Sequence, residues 1–111
     1  MRYRTPFGLV DISGPSMRRT LFDGDRVLVR YGAPLRPGAV ALFRHPHRRD
    51  LLVVKRAAQR RADGWWMLSD NPLVASDSRE YGPVPDALVL GRVLLRVWPR
   101  PGGVTARPPQ P

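Results

Sequence analysis

The chain has 111 residues, 42% of them hydrophobic, which is enough to bury one core and too little for two independent ones. Its 13 prolines and 10 glycines cut it into short segments, and with no cysteine it has neither a disulfide framework, a thiolate metal site nor a cysteine nucleophile. A formal charge of +10 suggests an acidic partner such as nucleic acid or an anionic membrane surface. The arginines, however, are scattered from Arg2 to Arg107, and no interleaved aromatic residues offer a base-stacking platform.

In chain order, the first six residues lack the apolar middle of a signal peptide, and no apolar run approaches the roughly 18 residues of a spanning helix. The expectation is a cytoplasmic protein without a membrane anchor. Ser13-Gly14-Pro15-Ser16 reads as a turn, with Met17 to Leu21 as a single helical turn after it. No segment sustains a 3.6-residue apolar period, so the remaining elements are read as short strands. They are Arg26 to Arg30, Ala39 to Arg44, Leu51 to Ala57, Gly64 to Ser69, and Ala87 to Trp98 with a bend at Gly91. Turn clusters separate them at Asp23-Gly24-Asp25, Arg36-Pro37-Gly38 and Ala62-Asp63-Gly64. The fold expected is a compact, coiled all-β domain over residues 1–98, followed by a mobile Pro/Gly-rich tail over 99–111.

Of 19 Lys plus Arg, 18 are arginine, and the single lysine, Lys55, falls on an apolar strand. Strand alternation puts Leu51, Val53, Lys55 and Ala57 on one face. An ammonium in such surroundings loses hydration, which lowers its pKa and brings the neutral amine within reach of neutral pH, a role closed to arginine. The same pattern fits an edge lysine with a buried stem and a solvated amine. Ser16, after its Gly-Pro turn, is a nucleophile if a base lies beside it and an ordinary turn serine otherwise. Only Lys55, His45 and His47 can serve as that base. The two histidines sit in a loop flanked by Arg44, Arg48 and Arg49, which disfavours a metal site there; they read as ordinary loop histidines, ahead of a Ser-His-Asp triad with Asp50. Trp65 and Trp66 occupy adjacent strand positions, so one is expected inward and one outward.

Three segments taken together resemble the signal peptidase I-like serine proteases. Ser13 to Leu21 with Gly24 to Val29 is similar to that family's nucleophile box and Val54-Lys55-Arg56 to its lysine box. Ser69-Asp70-Asn71 with Ser76-Asp77-Ser78-Arg79 and Gly82 is similar to the third box. The resemblance spans residues 11–97. It implies coiled β-sheets of the signal peptidase and LexA type with an SH3-like barrel element, a catalytic Ser16 and Lys55, and an oxyanion hole built on the Ser16 N–H. It further implies Asp77 and Arg79 as a structural pair, Asp70 and Asn71 as turn-forming supports, and no metal or cofactor.

Three departures stand out. Arg19 replaces the family's usual proline, so the turn after the nucleophile is expected to be looser or held by arginine contacts. Ala75 replaces a serine that hydrogen-bonds the lysine, leaving Ser76 as the only nearby substitute. Gly14 replaces a side-chain oxyanion donor. Within the family, the short length, Asp50 to Arg56, Gly64-Trp65-Trp66 and Ser69-Asp70-Asn71 most resemble the soluble nickel-type superoxide dismutase maturation proteases. Their substrate is the precursor of that dismutase, from which they remove a short amino-terminal propeptide. The rival readings are a non-catalytic basic β-barrel that binds nucleic acid, a related protease with another substrate, and a self-cleaving regulator domain.

Overall fold

The computed structural model describes residues 6–105. Six strands, β1 (Phe7–Asp11), β2 (Arg26–Tyr31), β3 (Val40–His45), β4 (Arg48–Arg61), β5 (Gly64–Leu68) and β6 (Val89–Trp98), form one sheet in the order β1-β2-β6-β3-β4-β5. Every pairing is antiparallel. Among the described residues, helical structure is confined to α1 (Ser78–Tyr81), a 3-10 turn at Asp86–Leu88 and the hydrogen-bonded turn after Ser16. The all-β expectation holds.

β3 organises the interior because both of its faces are buried. Val40 and Leu42 join Ile12, Met17, Leu21, Val27, Val29 and Val93 in one cluster. Ala41 and Phe43 point the other way, into a second cluster with Ala57, Trp65, Met67, Val84 and Leu88. A strand with two apolar faces is fixed against slippage, since moving it by one residue would exchange Phe43 for Leu42 and unseat both clusters. Trp65 goes inward and Trp66 is only partly covered, with the Arg61 guanidinium stacked 3.7 Å from its ring centroid.

β4 runs longer than the Leu51–Ala57 expected from sequence because it serves two partners in succession. Arg48 to Arg56 pair with β3, and Arg56 to Arg61 pair with β5 across an irregularity between Ala57 and Gln59. Among the described residues, the half of β4 preceding Arg56 therefore has no strand on its β5 side. The sequence does not single out β1 because Gly8 interrupts its short apolar pattern; a Cβ at Gly8 would collide with the Tyr31 ring and hydroxyl, so glycine lets that ring cover the edge strand. The bend expected at Gly91 appears as a register shift beside it, where β6 skips Leu90 in pairing with β3.

The described part of the expected tail differs from expectation. Arg96 and Gly102 exchange backbone hydrogen bonds of 2.8 and 3.0 Å, and the Val104 carbonyl accepts from Arg56 Nη1 at 2.7 Å. Those contacts tie residues 99–105 to the domain; the rest of the expected tail, 106–111, lies outside the described residues.

Candidate active site

Ser16 sits on an irregular segment closed at both ends by hydrogen bonds. The Ile12 N–H donates to the Asp25 carbonyl and the Gly24 N–H to the Ile12 carbonyl, both at 2.8 Å. Gly14, at φ +81°, donates its N–H to Asp23 Oδ1 at 2.8 Å, a conformation that suits glycine. After Ser16 the chain makes the single turn expected: Arg18 N–H to the Pro15 carbonyl at 3.1 Å and Leu21 N–H to the Met17 carbonyl at 2.8 Å. The side chains of Met17 and Leu21 are fully buried and plant that turn in the first cluster. Among the described residues, the N–H groups of Ser16 and Met17 donate to no protein acceptor.

Lys55 lies in β4 opposite Ala41 and is only 4% exposed. Burial pushes its amine below the ordinary lysine value; the Asp77 carboxylate pulls it back up and the Arg79 guanidinium pushes it down again. The amine makes no hydrogen bond among the described residues, including none to Ser16. What the two share is a cavity of about 380 Å³, which both line together with Val10, Ile12, Ser13 and Leu52. One wall is the end of the edge strand β1; the other is the unpaired half of β4.

The third box does more than support a turn. Asn71 donates its backbone N–H to the Ser16 carbonyl at 2.9 Å and its side-chain Nδ2 to the Pro15 carbonyl at 3.0 Å, gripping the Ser16 segment directly. Asp70 accepts from the Thr20 hydroxyl and from two nitrogens of Arg56, at 3.1 Å from Nε and 2.6 Å from Nη2. Arg56 also donates to the carbonyls of Gly38 and Val104 and to Thr20 Oγ1. All five of its N–H groups are thereby used, which is what a guanidinium on a buried strand requires. The neighbours Lys55 and Arg56 thus divide the labour: one amine is left unpaired at a cavity, and one guanidinium joins four segments.

Asp77 and Arg79 form the expected pair. Asp77 is fully buried; it caps α1 by accepting from the Arg79 N–H, and it also accepts from Ser69 N–H at 2.9 Å and Arg79 Nη2 at 2.8 Å. Burial alone would raise its pKa, but the hydrogen bonds from Arg79 and the Ser69 N–H outweigh it and hold the carboxyl below its ordinary value. Ser76 is exposed and does not hydrogen-bond Lys55; the two line a second cavity of about 530 Å³, together with His45, Glu80 and Tyr81. Arginine contacts do hold the turn at Arg19, but they come from other strands: Arg56 Nη2 donates to Thr20 Oγ1 at 3.3 Å and Arg96 Nη1 to the Thr20 carbonyl at 3.4 Å, while the Thr20 hydroxyl donates to Asp70. Arg19 itself adopts φ +83°, which proline cannot.

The histidines line the second cavity and not the one that contains Ser16. His45 Nδ1 accepts the His47 N–H at 3.1 Å, its ring packs 4.4 Å from that of Tyr81, and burial lowers its pKa. Among the described residues no cluster of His, Cys, Asp or Glu could hold a metal ion. Sequence reasoning missed Thr20 and Arg56. The signal for Arg56 was present: it ends a strand face whose earlier residues, Leu52 and Val54, are aliphatic, and a buried guanidinium there demands acceptors.

A family model described as Peptidase S24-like matches residues 4–94. The chain is 33% identical over 116 residues to the mitochondrial ATP-independent inner membrane protease subunit 1a of Arabidopsis thaliana, covering 79% of this chain and 68% of that protein. It is 30% identical over 115 residues to the mitochondrial inner membrane protease subunit 1 of Xenopus tropicalis, covering 82% and 69%. The human protein of the same name is 28% identical over 116 residues, covering 83% and 70%. These relatives carry the names of inner membrane proteases, not of nickel-type superoxide dismutase maturation proteases, so they support the broad family and not the narrower group.

Proposed function

The chain belongs to the Peptidase S24-like family, and from that premise we propose that it is a serine endopeptidase with Ser16 as nucleophile and Lys55 as general base. The observation that carries this reading is the shared cavity: a serine on a tethered turn and a buried, unpaired lysine amine of lowered pKa face the same space. The neutral amine takes the proton of the Ser16 hydroxyl as its oxygen attacks the scissile carbonyl. The resulting oxyanion is held by the Ser16 N–H. Collapse expels the leaving amine, which takes the proton back from Lys55, and an acyl-enzyme remains. Lys55 then deprotonates a water, which releases the acyl group and restores Ser16. No metal or cofactor enters this sequence.

The substrate lies extended between the end of β1 and the unpaired half of β4, where main-chain hydrogen bonds fix its register. A small residue precedes the cut. The bond broken joins a short amino-terminal propeptide to its precursor protein. For the identity of that precursor we favour nickel-type superoxide dismutase, a reading supported by the likeness of Asp50 to Arg56, Gly64-Trp65-Trp66 and Ser69-Asp70-Asn71 to its maturation proteases.

The test is cleavage of a precursor peptide by the wild type, Ser16→Ala, Lys55→Ala and Lys55→Arg. Each variant is expected to lose activity by on the order of 10⁴-fold. Full activity in Lys55→Arg would remove the lysine from its role, because arginine does not give up its proton. Cleavage of an unrelated precursor as fast as the dismutase precursor would overturn the substrate assignment and leave the dyad standing.

A further inference from the structure

The peptide joining Pro15 to Ser16 is held on one side and open on the other. Its carbonyl accepts from the Arg18 N–H at 3.1 Å and from Asn71 Nδ2 at 3.0 Å. In a planar trans peptide the carbonyl and the N–H point in opposite directions, so a group that fixes the Pro15 carbonyl also fixes the direction of the Ser16 N–H. Among the described residues the only cis bond is Trp98-Pro99, so this geometry applies here. The Ser16 N–H donates to no acceptor among the described residues, and Gly14 contributes no side-chain donor beside it.

Asn71 is itself held in one orientation. Its Oδ1 accepts the Leu73 N–H at 3.0 Å, its carbonyl accepts the Val74 N–H at 3.1 Å, and its own N–H reaches the Ser16 carbonyl at 2.9 Å. Turning the side-chain amide over would face a carbonyl with an oxygen and an N–H with a donor, losing both side-chain bonds at once. The residue before it, Asp70, is locked to Arg56 and Thr20. The Arg18 bond is part of a local turn and moves with it, whereas Asn71 comes from a segment 56 positions away and supplies an external reference.

We propose that Asn71 is the positioning residue of the oxyanion hole: by donating to the Pro15 carbonyl it aims the Ser16 N–H at the oxygen that becomes charged in the transition state. The inference rests on Ser16 being the nucleophile. An oxyanion donor acts only where charge develops, so loss of its alignment lowers the rate and weakens tetrahedral adducts while substrate binding is spared.

Two variants test this in the full chain. Asn71→Asp keeps the acceptor for Leu73 and the backbone bond to Ser16, but presents an oxygen to the Pro15 carbonyl. Asn71→Ala removes the donor without adding charge. Both are expected to lose roughly 10- to 100-fold in kcat, with KM close to wild type. Affinity for a peptide boronic acid, which forms a tetrahedral adduct on the serine, falls by a similar factor, while a non-cleavable peptide of the same sequence binds as before. Wild-type kcat and boronate affinity in both variants would overturn the proposal. So would a loss of both ligands in parallel with a drop in Tm, since that is the mark of a fold defect. If Ser16→Ala cleaves normally, the failure lies in the nucleophile assignment, a result distinguishable from either outcome at Asn71.

Discussion

Ser16 and Lys55 face one cavity but are held by opposite means. Lys55 rides on β4, fixed by ladder bonds to β3, and its surroundings are set by apolar neighbours. Ser16 lies outside any strand or helix and is held by carbonyl and N–H groups that the Asn71 and Asp25 segments bring to it. A general base needs desolvation, which packing supplies; a nucleophile beside an oxyanion hole needs its backbone aimed, which hydrogen bonds supply. The two halves of the proposed dyad should therefore fail differently when their supports are removed.

The largest effect is expected where desolvation acts. Lys55→Met keeps the packing and abolishes the base, so the cleavage rate should fall on the order of 10⁴-fold. Stability should move the other way. Burial lowers the Lys55 pKa in the folded chain below the ordinary 10.5. Between that lowered value and 10.5 the unfolded chain binds more protons, so wild-type stability rises with pH across this window, and the cost of burying the charge is felt fully below it. The methionine variant lacks that cost. In thermal melts at pH 7 it should be more stable than the wild type, with the gap closing toward pH 10.5. The wild-type rate should rise with pH along the same deprotonation; a rise centred below 6.5 would instead assign the proton to His45, whose pKa is lowered from that value.

Next comes the joint between the two regions. Arg56→Met leaves Asp70, whose side chain is 11% exposed, as a nearly buried carboxylate with only Thr20 beside it. Breaking such a pair from one side costs about 3–5 kcal/mol, to be read as a fall in the denaturation midpoint in urea. Arg56→Lys should retain at most three of the five hydrogen bonds, because one ammonium has three donors and cannot reach Asp70, Gly38, Val104 and Thr20 together. Since Asp70 precedes Asn71, the damage should fall on the Ser16 side: kcat drops while the midpoint of the pH profile, set by Lys55, stays in place. A shifted midpoint with unchanged kcat would reverse the division of roles argued above.

This division also explains what could be read from the residues alone. Lys55 was legible because alternation along a strand and the lack of any other lysine are local properties of the sequence. Five strands were legible because short apolar runs between turn clusters are local as well, whereas β1 was obscured by Gly8, whose purpose depends on Tyr31 in another strand. Asn71 was recognisable as a third-box residue, but its bond to the Pro15 carbonyl joins positions 56 apart, and no local pattern encodes that. Arg56 could be seen to need partners, yet its acceptors come from three loops and the segment after β6. The segment after Trp98 read as mobile because its composition suits a tail, while its tether to Arg96 and Arg56 is made of backbone carbonyls and N–H groups that composition does not reveal.

The smallest effect tests how tightly the Ser16 segment is specified. Arg19 adopts φ +83°, a left-handed conformation that costs an L-residue roughly 1–2 kcal/mol. Glycine adopts it freely but loses more chain entropy on folding, so Arg19→Gly should gain only about 0.5–1 kcal/mol, a few degrees in Tm. If the external bonds from Asn71 and Asp70 define the turn, kcat should be unchanged despite the added local freedom. Arg19→Pro, which restores the family's usual residue, cannot hold φ +83° and must rebuild the turn. It should therefore lower stability or shift the Ser16 N–H, and boronate affinity distinguishes the two. A proline variant with wild-type Tm and wild-type boronate affinity would mean that the turn reforms around the nucleophile without help from its distant partners.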